Sequence, residues 1–298
     1  MRTIERQNGY PAINRLGTFN SIIEIDGLSK AFEEKVKERT IELEEKNNAI
    51  IRSIQYARRI QNAMLPSEKL FERYFSDYFI LNKPKEIVSG DFYWVNKVDG
   101  KIIFTIADCT GHGVSGAFMS ILGIMLLDQI TEVDKVVQAD KILNILRERI
   151  NMAIRRKKNQ EEMKDGLDLT LCVFDPAGKT LQFSGAFDRI YRIRNHTLNK
   201  IKLDQNLWNS HMDCDIPCKN YEINVHPGDV FYLFTDGYPD QFGGEKNKKF
   251  TLKRFQDLLM KIYHKRMNKQ KQILDDTITE WQGPMEQIDD ITVMGIQF

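Results

Sequence analysis

The stretch Ala107-Asp108-Cys109-Thr110-Gly111-His112-Gly113-Val114-Ser115-Gly116-Ala117 joins a β-rich run, Lys101–Ala107, to a pattern that turns helical between Val114 and Arg156. An acid at the end of an apolar strand, with glycines just beyond it, lets a carboxylate and backbone groups approach an ion or a phosphate together, because glycine allows the chain to come close. Three further stretches place acids at strand starts or ends: Ser89-Gly90-Asp91-Phe92-Tyr93, Thr235-Asp236-Gly237 and Ile288-Asp289-Asp290-Ile291-Thr292. Convergence of such ends would make an oxygen-rich site, which suits hard cations such as Mg²⁺ and Mn²⁺. Two such ions about 4 Å apart can share a water, lower its pKa and hold it in line with a phosphorus atom. Each piece alone is weak, since an Asp-Gly pair is more often a turn than a ligand and Asp91 could cap a loop. It is their combination and order that carry the reading.

Around these motifs the chain shows short β-rich runs at Tyr78–Leu81, Gly90–Val95, Lys101–Ala107, Leu167–Phe174, Thr180–Ala186, Ile190–Arg194, Tyr221–Val225, Val230–Thr235 and Ile291–Phe298. Two more helices are expected at Leu252–Tyr263 and Gln270–Trp281. Strands gather around blocks of helix rather than alternating with them, which favours an α+β layered domain over a βαβ fold. Hairpin turns are expected at Val98-Asp99-Gly100-Lys101 and Asp175-Pro176-Ala177-Gly178. Phe118, Ile121, Leu122 and Met125 have the spacing of a buried helix face.

From Lys30 to Leu65 there is no Gly or Pro, and Val36, Leu43, Ile50, Ala57 and Met64 recur every seven residues as one helical seam. The alternate seam, Thr40, Asn47, Ile54 and Gln61, is polar, and a buried Asn47 could fix the register of a parallel dimer. The other reading is a solitary amphipathic helix packed on the domain C-terminal to it. Pro66 ends the helix, because a proline disfavours helical geometry in the residue before it. The expected organisation is an unassigned segment 1–29, broken by Gly9, Pro11, Gly17 and Gly27, a helical or coiled-coil arm 30–65, and a domain 66–298.

The 298 residues carry 43 Lys+Arg against 42 Asp+Glu, a formal charge of +1, which argues against nucleic-acid binding through bulk charge. The length is ample for a core, and the composition is that of a globular protein rather than a disordered one. Four cysteines do not make a disulfide framework, and no basic-then-apolar leader is seen, so a reducing cytoplasm is the expected location. The longest nearly apolar run, Ala117 to Leu127, is about half of the roughly 20 residues that cross a bilayer.

Taken in order, Val88-Ser89-Gly90-Asp91-Phe92-Tyr93, the stretch from Ala107 to Ala117, Thr235-Asp236-Gly237 and Asp289-Asp290-Ile291-Thr292 closely resemble the SpoIIE-like branch of the PPM (protein phosphatase 2C-like) metal-dependent serine/threonine phosphatases. The resemblance covers about residues 50 to 298 and includes Gln61-Asn62-Ala63-Met64-Leu65-Pro66, similar to the helical lead-in of that domain. It implies an α-β-β-α sandwich of two mainly antiparallel sheets, with two Mg²⁺ or Mn²⁺ ions in the cleft between them. Carried onto this chain, Asp91 and Asp108 would be metal ligands, the backbone carbonyl of Cys109 would add another, and Asp236 and Asp289 would complete the set. The implied reaction is hydrolysis of phosphoserine or phosphothreonine by a water held between the metals, without a phosphoenzyme. The implied substrate is a phosphorylated protein, with a STAS-domain anti-sigma-factor antagonist as the family's example.

Asp290 is expected to orient the ligands rather than bind first, and Gly90, Gly111, Gly113 and Gly237 to serve backbone geometry around them. His112 could protonate the leaving alkoxide or shape the loop by a hydrogen bond. In the broader family the acid histidine stands two residues after the metal Asp, whereas His112 stands four after Asp108. A second departure is Asp204-Gln205-Asn206-Leu207-Trp208-Asn209-Ser210, where related domains carry a Pro-Ile-Gly-type turn. The cluster from His211 to Cys218 lacks a second ligand pair at zinc-finger spacing and reads as a surface loop. The basic runs Arg155–Lys158 and Lys246–Lys249 are short enough to be merely solvated, or could steer an acidic partner. A silent relative that only binds a phosphoprotein would be expected to have lost a metal carboxylate, and this chain keeps all four. A phosphohydrolase acting on small molecules or nucleic acid is disfavoured by near-neutral charge and by the motif order.

Overall fold

The computed structural model describes residues 15–111, 113–154, 166–185, 189–201, 203 and 217–298, with side chains from residue 27 onward. A long first helix, α1 (Arg15–Met64), runs through Gly17 and Gly27. This differs from the expected start near Lys30: an isolated glycine inside a helix costs about 1 kcal/mol relative to alanine and need not end it. By its contacts the chain forms two units, the first ending at Ser53 and the second spanning Ile54–Phe298. In the first unit the seam residues Val36, Leu43 and Ile50 are exposed. Thr40, on the polar seam, returns its hydroxyl to the Val36 carbonyl at 2.8 Å and so satisfies itself within the helix.

The second unit continues through α2 (Glu68–Tyr74), β1 (Asp77–Lys83), β2 (Phe92–Val98), β3 (Lys101–Cys109), α3 (Gly113–Asp128), a π-helical turn (Gln129–Val133) and α4 (Ala139–Ile154). Then come β4 (Leu167–Asp175), β5 (Thr180–Gly185), β6 (Ile190–Arg194), β7 (Thr197–Lys200), β8 (Tyr221–Asn224), β9 (Val230–Phe234) and α5 (Gly237–Asp240). The chain closes with β10 (Phe242–Gly243), β11 (Lys248–Lys249), α6 (Leu252–Ile262), α7 (Met267–Gln282) and β12 (Ile291–Gln297). One sheet has the order β2-β3-β4-β5-β8 and the other β1-β12-β9-β6-β7, with antiparallel pairing throughout both.

Period-2 alternation in the central strands builds the layers. Ile102, Phe104 and Ile106 of β3 face Phe231, Leu233, Met294 and Ile296 in a core between the sheets. Ile103 and Ala107 of the same strand face outward onto Leu127, Ile142 and Leu146 of α3 and α4. On the opposite side Tyr232, Phe234 and Val293 pack against Phe255, Leu274 and Ile278 of α6 and α7. The expected α-β-β-α sandwich of two antiparallel sheets is the observed architecture. The turn between β2 and β3 is the two-residue kind, with Val98 paired to Lys101 and both Asp99 (φ 50°) and Gly100 (φ 80°) in the left-handed region. In the turn after β4, Asp175 Oδ1 accepts from Ala177 and Gly178 N–H, each at 3.0 Å.

One expectation about α3 is corrected. Phe118 is 68% exposed and Met125 56% exposed, so the face containing them is not the buried one. The buried face is Gly116, Ala117, Met119, Ser120, Gly123, Ile124 and Leu127. Small residues face inward because the helix backbone lies against its neighbours: a Cβ on Gly116 would fall 2.7 Å from Gly90 Cα, and one on Gly123 3.0 Å from the Phe92 ring. Gly113–Val133 is apolar enough, at mean hydropathy 1.5 over its window, to cross a bilayer by length and composition, but half of that window is buried inside the sandwich. It is a core helix of the fold.

A partly buried ion pair pins β6 to the approach of β9. Arg194 donates from Nε to Asp229 Oδ1 at 2.6 Å and from its terminal nitrogen to Oδ2, while the His226 N–H donates to Oδ2 at 3.0 Å. Burial works to raise the Asp229 pKa, but these bonds outweigh it and hold the carboxyl below its usual value. Its stabilisation is therefore present above the ordinary carboxylate range and is lost as pH falls through the lowered value. Asp229→Ala, which leaves Arg194 only the Asn224 carbonyl, is expected to cost about 2 kcal/mol in urea unfolding at pH 7.

Candidate metal centre

Antiparallel order brings the acidic motifs to one end of both sheets. β3 ends at Asp108-Cys109 where β2 is about to begin, with Phe92 paired to Ala107 and Asp91 one residue before it. β4 begins at the same place, with Asp168 directly opposite Asp108. In the second sheet β9 ends before Thr235-Asp236, and the adjacent β12 starts just after Asp289-Asp290. Thr235 links the two sheets: its hydroxyl donates to Asp91 Oδ2 at 2.6 Å, and its N–H donates to the Thr292 carbonyl at 3.0 Å.

The carboxylates sense one another. Asp91 is 3% exposed, and burial, followed by the charge of Asp108, pushes its pKa well above the carboxylate range despite the Thr235 hydrogen bond. Burial and then Asp236 push Asp108 up to about 7, with Asp289 and Asp168 adding to the shift and Arg189 opposing it. Burial chiefly raises Asp289 as well, with Asp236 and Asp290 contributing. Like charges gathered away from water call for a cation. The donor set is oxygen only, which matches hard divalent ions, so the residues fit the pair of Mn²⁺ or Mg²⁺ expected from the sequence. Among the described residues no three His, Cys, Asp or Glu side chains already stand as a closed donor set around one point. Instead the Arg189 guanidinium sits between Asp108 Oδ2, at 3.2 Å, and Asp236 Oδ2, at 3.0 Å.

Asp290 has a different environment from the other acids. Its Oδ1 accepts from Lys85 N–H and its Oδ2 from Gly90 N–H, both at 2.7 Å, so both oxygens hold the loop that presents Asp91. Gly90 permits tight packing there, since a Cβ on it would lie 2.7 Å from the Gly111 carbonyl and 3.2 Å from that of Cys109. The Cys109 thiol is buried and pushed well above its usual value by burial and by Asp108, so it is an inert core group. His112, the 204–210 loop, residues 211–216 and the run Arg155–Lys158 lie outside the described residues. Cys218 is buried against α4, its N–H donating to Asn144 Oδ1 at 3.0 Å.

Three contributors carry no motif of their own in the sequence. Asp168 stands at the start of an apolar strand run, as Asp91 does, with Gly166 two residues earlier, but nothing else around it repeats the other acidic motifs. Arg189 precedes β6 with no motif around it. Gln61 reads only as a seam position, yet it is 4% exposed and pairs with the backbone two residues before Asp91. Its Nε2 donates to the Ser89 carbonyl at 2.6 Å and to Ser120 Oγ at 2.8 Å, and its Oε1 accepts from Ser89 N–H at 3.2 Å.

Comparison with known proteins agrees with the fold. Residues 98–298 match the family model of Stage II sporulation protein E (SpoIIE), a segment that begins at the last residue of β2 and so leaves out Asp91. The SiaA-PP2C domain of Pseudomonas aeruginosa is 30% identical, with a TM-score of 0.75, over 85% of this chain and 98% of that one. The PP2C phosphatase domain of SpoIIE from Bacillus subtilis, with a fragment of its regulatory domain, is similar at 18% identity and TM-score 0.58 over 74% of this chain and 63% of that one. The catalytic domain of the serine/threonine phosphatase PstP, in complex with two manganese ions, is similar at 18% identity and TM-score 0.54 over 74% of this chain and 96% of that one. The last two likenesses concern the fold alone. No curated protein matches the chain in sequence.

Proposed function

The chain belongs to the SpoIIE family, with the sandwich of a PP2C-type serine/threonine phosphatase, and from that premise we propose that it is a metal-dependent phosphoserine/phosphothreonine protein phosphatase. The observation that carries this reading is the gathering of Asp91, Asp108, Asp236 and Asp289 at one end of both sheets, with pKa values raised by burial and by each other where a shift is resolved. These four, with the Cys109 carbonyl, hold two Mn²⁺ or Mg²⁺ ions. When bound, the ions supply an acidified water and neutralise charge on the phosphoryl oxygens. Asp290 orients the Asp91 loop, and His112 supplies the proton to the leaving alkoxide. The manganese in the similar PstP structure supports the choice of ion.

Hydrolysis of a phosphoaryl ester in Mn²⁺ tests the reading. Activity is expected to vanish with chelator and return with added Mn²⁺; turnover that persists in chelator would remove the mechanism.

The substrate is a phosphorylated protein, for which a STAS-domain anti-sigma-factor antagonist is the family's model, and the location is the cytoplasm. Residues 30–65 act as a signalling arm for the domain 66–298 and form a parallel dimer through the exposed seam of Val36, Leu43 and Ile50, N-terminal to the part of the helix that Gln61 ties to Ser89. Replacing Thr40 and Asn47 with Val is expected to change the oligomeric state in analytical ultracentrifugation and the activity together. A wild-type protein that stays monomeric at micromolar concentration, with activity unaltered by the substitutions, would end the arm hypothesis.

A further inference from the structure

Arg189 links the two halves of the site. Its two terminal nitrogens donate to Asp108 Oδ2 in one sheet and to Asp236 Oδ2 beyond the other, at 3.2 Å and 3.0 Å. On the metal-phosphatase reading, on which this inference rests, those are carboxylates that the divalent ions would take. A guanidinium keeps its charge at any working pH and cannot leave by losing a proton. It must move when a dication arrives, both because the lone pairs are shared and because the charges repel.

A destination lies next to it. Asp168 stands directly opposite Asp108 in the β3–β4 ladder, and directly opposed residues project from the same face. It is not one of the four motif acids. It lines the same small cleft as Arg189 and Asp108, and it interacts electrostatically with the guanidinium.

We propose that Arg189 is a built-in counter-ion that holds Asp108 and Asp236 together in the metal-free site and passes to Asp168 when divalent cations take those two carboxylates. Metal uptake is then an exchange of cations rather than a filling of bare negative charge. The apo site is spared four-fold repulsion, and ion affinity is set by competition with an internal charge.

The two side chains affect metal affinity in opposite directions. A charge within about 4–6 Å of a carboxylate alters its proton affinity roughly tenfold to a thousandfold, and a dication should be affected at least as strongly as a proton. Mn²⁺ titrated by calorimetry into chelator-stripped protein is expected to bind Arg189→Gln at least about tenfold tighter than wild type, with a lower melting temperature for the metal-free variant. Asp168→Asn, which removes the destination, is expected to bind Mn²⁺ about tenfold more weakly. In the double variant the Asp168→Asn effect should disappear, because no guanidinium remains to be relocated.

Unchanged or weaker Mn²⁺ binding by Arg189→Gln would overturn the proposal, since Arg189 would then be positioning ligands rather than competing for them. A full Asp168→Asn effect in the Arg189→Gln background would overturn it too, because Asp168 would be touching the ion itself. These readouts do not depend on turnover. Failure of wild-type protein to take up Mn²⁺ at all would instead remove the metal centre, and the exchange with it.

Discussion

Asp108→Asn and Asp236→Asn are each expected to lower kcat/KM for a phosphoaryl ester in Mn²⁺ by about 10³-fold, since losing an ion's hold on the transition state costs several kcal/mol and each 1.36 kcal/mol is tenfold. The amide keeps the shape of the side chain and removes its charge, so the loss should appear as weaker Mn²⁺ binding rather than as misfolding. For Asp108 the metal-free protein gives an independent check. Its carboxyl is pushed up to about 7 by burial and by Asp236. Between the ordinary carboxylate value near 4 and that raised value, the folded state holds a proton that the unfolded chain has released. Stability of the metal-free protein therefore falls as pH rises through that window. Asn at this position has no proton to release. Metal-free Asp108→Asn should consequently melt higher than metal-free wild type at pH 8, while gaining less from added Mn²⁺. A variant that keeps wild-type turnover in Mn²⁺, or that melts lower than wild type without metal, would show that Asp108 is not a charged ligand held at electrostatic cost.

The parts of this centre that are legible in the sequence are those in which local pattern and site coincide. Asp91, Asp108, Asp236 and Asp289 stand where apolar strand runs begin or end, and β-strand periodicity is a local property. The central strands and α6 can be read to within a few residues for the same reason. What is not legible depends on contacts distant in sequence. Arg189 meets Asp108 across 81 positions, and Gln61 meets Ser89 across 28; nothing near either residue marks it. In α3 hydrophobicity does not indicate the inner face. Gly116 faces inward because backbone must approach backbone there, Gly123 because the Phe92 ring packs against it, and Phe118 and Met125 are left outside. β10, β11 and α5 are too short to carry any period.

Gly237→Ala is expected to be the most damaging single methyl group in the site. A Cβ at Gly237 would lie 2.0 Å from the Asp290 carbonyl oxygen and 2.9 Å from its carbon, closer than atoms can pack, so the backbone must part. No unusual torsion is involved, as Gly237 is not among the glycines with positive φ; the requirement is for close approach alone. The two segments that separate carry Asp236 on one side and Asp289 and Asp290 on the other. Asp290 in turn holds the N–H groups of Lys85 and Gly90, so the displacement reaches the loop that presents Asp91. One methyl group thus disturbs three of the four carboxylates. We expect a loss of about 4 kcal/mol in urea unfolding, at the extreme of single substitutions, and at least a 10²-fold loss of turnover in the molecules that remain folded, the cost of a displacement of about 1 Å at a reacting centre. Gly100→Ala separates strain from geometry. Gly100 has φ 80° in the β2–β3 turn with open space around it, so alanine there should cost about 1 kcal/mol of strain and leave turnover per folded molecule unchanged. Wild-type stability and activity in Gly237→Ala would mean that the chain does not bring residue 237 against residue 290, and the two sides of the centre would then not meet as described.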